Sequence, residues 1–124
     1  MTYEKNNVAV TSLKQVAALL KKAPLKPGTV NLDLGGGKYD LGTDYLATKN
    51  IINYVLDPFN RSEEHNREVV EILNARGGAD SVTLANVLNV IESERHRHNT
   101  LMKASMHMHI GAHIYIETVV VSER

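Results

Sequence analysis

At 124 residues the chain has room for one hydrophobic core and one domain. Fourteen basic residues balance fourteen acidic ones, which excludes a global field that would draw in nucleic acid or an anionic membrane. The chain has no cysteine, hence no disulfide or thiolate metal site; no apolar run reaches the ~18 residues of a membrane span, and Met1-Thr2-Tyr3-Glu4-Lys5 has no signal-peptide character, so a cytoplasmic domain is expected.

In chain order, Thr11 and Ser12 offer an N-cap for a helix whose apolar positions Leu13, Val16, Ala17 and Leu20 recur at helical spacing. Lys21 and Lys22 suit its negative end, and Pro24, Pro27 and Gly28 stop it. A strand over residues 29–34 then breaks into Gly35-Gly36-Gly37-Lys38-Tyr39 just after Asp33. Consecutive glycines at a strand end let the backbone reach positive φ and approach a ligand closely. The dinucleotide fingerprint G-x-G-x-x-G is not met, because position 40 is Asp. A short helix over residues 41–50 follows, with Thr43 as its candidate N-cap.

Residues 51–56 read as a second strand ending at Asp57-Pro58-Phe59-Asn60-Arg61-Ser62. The proline holds Asp57 extended at the strand tip. An acid about 20 residues past a glycine turn, at the next parallel strand tip, can accept both hydroxyls of a ribose; the same aspartate could instead cap the following helix. Ser62, Glu63 and Glu64 open that helix, Val69, Ile72 and Leu73 give its buried stripe, and Gly77-Gly78 ends it. A third strand leaves at about Ala85 or Asn86, a helix runs over about 92–108, and Gly111 turns it into a last strand over 113–121. Strands alternating with helices imply an α/β domain, a mostly parallel sheet of about four strands with helices on both faces.

Asp33-x-Gly35-x-Gly37, Asp57-Pro58-Phe59-Asn60-Arg61-Ser62 and Asn86-Val87-Leu88-Asn89-Val90-Ile91 resemble, in order and spacing, the core of the class I S-adenosylmethionine (SAM)-dependent methyltransferases, and more narrowly short phage- and prophage-type members. The resemblance spans about residues 26–119. It implies a small Rossmann-like fold with strand order 2-1-4-5 in superfamily labels, lacking the usual C-terminal antiparallel pair. It also implies SAM as cofactor: Asp33, Gly35, Gly36 and Gly37 line the methionine part, Asp57 with Pro58 holds the ribose, Phe59 lies against the adenine, and Asn86 and Val87 meet the sulfonium. Tyr39 stands where a third glycine is usual, placed to narrow or cover the pocket. No N/D-P-P-Y/F tetrapeptide and no nucleophilic cysteine is present, so no catalytic residue and no methyl acceptor is assigned. Two alternatives stand beside the enzyme: a non-catalytic SAM-binding or interaction module, and a phage-type protein that sequesters or degrades SAM.

Six histidines invite a metal reading, but His96/His98 and His107/His109 lie two apart on the expected helix, about 200° around its axis, so neither pair faces one ion. Gly111 interrupts the helix between His109 and His113, and no metal site is expected. Met102, Met106 and Met108 are expected to fill core gaps or an interface. Arg61, Arg67, Arg95 and Arg97 form no patch that sequence can establish. The last strand, strongly β-forming and without proline, would be a bare sheet edge, so a homodimer through it is expected unless residues 119–124 fold back over it.

Overall fold

The computed structural model of the chain describes residues 15–85 and 94–117. Its elements are α1 (Ala18–Lys22), β1 (Val30–Leu34), α2 (Leu41–Ala47), β2 (Ile52–Leu56), α3 (Glu63–Arg76), β3 (Ala79–Ala85), α4 (Glu94–Met106) and β4 (Met108–Glu117). The four strands form one all-parallel sheet in the order β2-β1-β3-β4.

The central strands alternate. Val30, Leu32 and Leu34 of β1, Leu56 of β2 and Val82 and Leu84 of β3 are buried in one cluster with Val69 and Leu73 of α3 and Ala104 of α4. The intervening Asn31, Asp33, Asn53, Ser81 and Thr83 are also buried, on the opposite face. Parallel sheets usually bury apolar side chains on both faces; here the second face is polar. It lies towards α1 and α2, where Leu20, Leu46 and Ile51 form a smaller cluster with Val16, Ala17, Leu25 and Tyr45. Gly42 lets the two helices touch, since a Cβ there would fall 2.6 Å from Leu20 Cδ1.

Several helix ends follow the sequence signals. Ser62 Oγ accepts the His65 amide at 3.0 Å, and Gly77 closes α3 at φ 87° in the left-handed region. Others do not. The N-cap position of α2 is Asp40, without a side-chain cap, and Thr43 Oγ1 instead accepts from Asn53 Nδ2 at 3.1 Å. The expected caps Thr11 and Ser12 lie outside the described residues, and Val16 and Ala17 precede α1. Ile72 is exposed, because α3 turns Val69, Val70 and Leu73 towards the core instead, and Met102 and Met106 are exposed as well.

The largest departure is at the end. α4 stops at Met106, and the chain enters β4 at Met108, so His107 is the turn and His109 is on a strand. Gly111 does not turn helix into strand. It lies inside β4 at φ 91°, near the shift in the β3–β4 register between Ala79 and Ser81. The switch comes early because Gly78 lets the backbone of β4 in: a Cβ there would sit 2.6 Å from the Met108 carbonyl carbon. No described helix is long and apolar enough to cross a membrane, and among the described residues no group of three or more His, Asp or Glu is placed to hold a metal ion.

Candidate functional site

β1 is central: the chain passes from it to β2 on one side and then crosses back from β2 to β3 on the other. In a parallel sheet a crevice opens outside the strand ends where the connections diverge. The glycine loop lies there. Gly35 and Gly37 have φ 76° and 89°, a region that L side chains rarely enter, and the Gly35 amide donates to the Leu56 carbonyl at 2.8 Å. Gly36 makes room for Asp33, whose Oδ2 would lie 2.4 Å from a Cβ there.

A crevice of about 390 Å³ is lined by Asp33, Gly35, Gly36, Ala85, Glu117 and the chain around α1. A narrower recess shares Asp33 and Gly36 and runs to Tyr39, Gly42, Thr43 and Val55. Asp33 is 5% exposed. Desolvation lifts its pKa to about 7; the charge of Asp57 adds to this, while the Thr83 hydroxyl, donating to Oδ1 at 2.9 Å, and Arg61 oppose it. Thr83 is in turn tied to a ladder across three strands. Asn31 Nδ2 donates to Thr83 Oγ1 at 3.0 Å and to Asn53 Oδ1 at 2.8 Å, and Ser81 Oγ donates to Asn31 Oδ1 at 2.7 Å. At the mouth, Glu117 pairs with Lys22 of α1 at 2.8 Å.

Asp57 differs from the sequence expectation. It is 0% exposed, and its two oxygens already accept four hydrogen bonds. Oδ1 takes the amides of Phe59 and Asn60 at 3.0 and 3.1 Å; Oδ2 takes the Gly37 amide at 2.9 Å and Asn60 Nδ2 at 3.1 Å. Its backbone is held by Asn66, whose Oδ1 accepts the Asp57 amide and whose Nδ2 donates to the Asp57 carbonyl. As arranged, the carboxylate fastens the glycine loop to the turn after β2 and offers no oxygen to a ribose. Nor does it cap the following helix, whose N-cap is Ser62; its partners are its own turn and Gly37.

Arg61, to which sequence reasoning assigned no role, holds the glycine loop from its other side. Nε donates to the Gly37 carbonyl at 2.7 Å, one terminal nitrogen donates to the Tyr39 carbonyl at 2.9 Å, and the same nitrogen lies 2.9 Å from Asp40 Oδ1. Its partners are mostly carbonyls, which carry no side-chain signature. Of the other expected site residues, Tyr39 reaches the recess, whereas Pro58 and Phe59 line neither cavity. Asn86 and Val87 lie outside the described residues, although Ala85 just before them lines the crevice.

Comparison with protein families, with curated proteins and with solved structures finds no match to this chain.

Two predictions follow from these contacts. Asp57→Ala would strand several buried donors, so it should lower unfolding free energy in urea by about 2–4 kcal/mol without ligand; an unchanged midpoint would refute the fastening role. Asp33 behaves oppositely. With a folded pKa near 7 against an ordinary 3.8, its contribution is fully present below about pH 4 and is lost as pH rises through 7. Asp33→Asn should therefore gain stability over the parent by on the order of 2 kcal/mol more at pH 8 than at pH 5. Parallel pH–stability curves for the two proteins would show that Asp33 titrates normally.

Proposed function

We propose that the chain binds S-adenosylmethionine through Asp33 and the Gly35–Gly37 loop and acts as a small methyltransferase-type domain, with the methyl acceptor open. One observation carries this reading: a loop with two left-handed glycines at the end of the central strand, beside a nearly buried carboxyl that lines a crevice at the point where the strand connections diverge. An all-parallel four-stranded sheet with helices supports the same reading.

In this reading Asp33 receives the ammonium of the methionine part, Gly35 and Gly36 admit its backbone-like atoms, and Tyr39 bounds the recess. Phe59, 48% exposed on the neighbouring turn, is placed to reach an adenine only if that end of the ligand extends out of the crevice. Asp57 contributes by holding the loop, not by holding ribose. A methyl acceptor brought to the sulfonium would react chiefly because the two are held in line.

Calorimetric titration of the full chain with SAM and with S-adenosylhomocysteine tests this. Both should bind. An ammonium that pairs with ionised Asp33 must first displace its proton, so affinity should rise about tenfold between pH 6 and pH 8, and Asp33→Asn should remove that dependence. Failure of both ligands to bind ends the reading. Binding without methyl transfer to nucleic acid or protein extract selects the non-catalytic module or the SAM-sequestering protein.

The sheet edge supports a proposal about assembly. β4 ends the strand order, Ile110 is fully exposed, and Ile116 is 46% exposed. Among the described residues no strand covers its outer side, and such an edge is a template for another chain. A homodimer about a two-fold axis through β4 is the arrangement this favours. Light scattering after size exclusion should give twice the chain mass at tens of micromolar, and Ile110→Lys with Ile116→Lys should return it to one. A monomeric parent with slow amide exchange along β4 would mean that the edge is protected within one chain.

A further inference from the structure

The polar sheet face carries a second cavity at the opposite end of the strands. It is a cleft of about 470 Å³, larger than the crevice at Asp33, reached past Pro24, Leu25 and Lys26 where the chain leaves α1. Ser81, His113 and Tyr115 line it on the sheet side; Ser81 pairs in register with His113, and the rings of His113 and Tyr115 stack with centroids 6.2 Å apart. The Ser81 hydroxyl already donates to Asn31. Lys26 and His113 are exposed.

Asp80 also lines the cleft, and a bare carboxylate there would repel an anion. It is not bare. Oδ2 accepts the Val30 amide at 2.8 Å and lies 3.3 Å from an Arg76 nitrogen, and Oδ1 lies 2.8 Å from His109 Nε2. Burial raises its pKa, but the Val30 amide, Arg76 and His109 outweigh that, and the net shift is downward. The other nitrogen of His109, Nδ1, lies 2.7 Å from the Ile110 carbonyl. Both ring nitrogens are thus engaged, one by the Asp80 carboxylate and one by the Ile110 carbonyl. This leaves His109 no free nitrogen with which to act as a base. Around the cleft, Arg76 and Lys26 set two positive charges against the one of Asp80, with His113 and Tyr115 as further donors.

We infer that this cleft is a binding site for a small oxyanion, a phosphate or carboxylate group, with Lys26 and His113 as its direct donors and with Arg76 and the Val30 amide offsetting the Asp80 carboxylate in its wall. The site is separate from the SAM reading and stands or falls without it.

Titration of the full chain with sodium phosphate, and separately with sodium acetate, tests the site by NMR, against sodium chloride at matched ionic strength. Saturable shifts are expected at Ser81, His109, His113 and Tyr115. Lys26→Ala changes an exposed connecting residue and should weaken binding by about tenfold, the worth of one charge-assisted contact. Saturation by phosphate alone assigns a phosphate group, by acetate alone a carboxylate; either supports the site. Equal shifts with chloride, shifts that do not saturate, shifts centred on residues 33–37, or a Lys26→Ala protein that binds as the parent does would each overturn it.

Discussion

The carboxylate of Asp57 holds together the end of the molecule where strands become loops. A buried charge is tolerable only when its lone pairs are filled, and here they are filled by the turn that follows Asp57 and by the amide of Gly37. One side chain thus fixes two loops that are distant in sequence. Arg61 holds the same glycine loop from its other side, through carbonyls of residues 37 and 39. A loop with left-handed glycines would otherwise sample many conformations. Pinned at both its amide and its carbonyls, it keeps one shape beside Asp33 before any ligand arrives, which is how binding avoids an ordering cost.

The two sheet faces divide the labour. The face towards α3 and α4 is a dry aliphatic core and supplies the hydrophobic driving force. The other carries amides, hydroxyls and a carboxyl, and among the described residues it has a cavity at each end of the strands. Cavities on a polar floor suit polar ligands, and one on the aliphatic face would not.

Much of this was legible in the residues. Strand–helix alternation gives the parallel sheet, Ser62 and Gly77 mark the ends of α3, and three glycines after an acid mark the loop. The polar face was also there to be read, in the alternation of Val30-Asn31-Leu32-Asp33-Leu34, but an apolar run with one acid hides it. The roles of Asp33 and Asp57 were harder to separate. Both are aspartates at strand tips, and only geometry shows that Asp57 is enclosed by its own turn while Asp33 looks into a crevice. Arg61 binds carbonyls, which any sequence possesses. Gly111 was misread because a glycine ending a helix and one bending a strand look alike; Gly78, in the turn before β3, decided where β4 begins.

The ladder of Asn31, Asn53, Ser81 and Thr83 has a consequence for how the chain reaches this state. Parallel strands are joined late, through long crossovers, and hydrophobic runs pair almost as well when displaced by one residue. A displacement here would swing Asn31 into the place of Leu32, among leucines and valines with no partner for its amide. Each such stranded group costs about 1–3 kcal/mol, and a slip would strand several at once. The amide-and-hydroxyl row therefore works as a key cut across three strands, admitting one alignment during collapse and turning the near-misses back towards the unfolded chain.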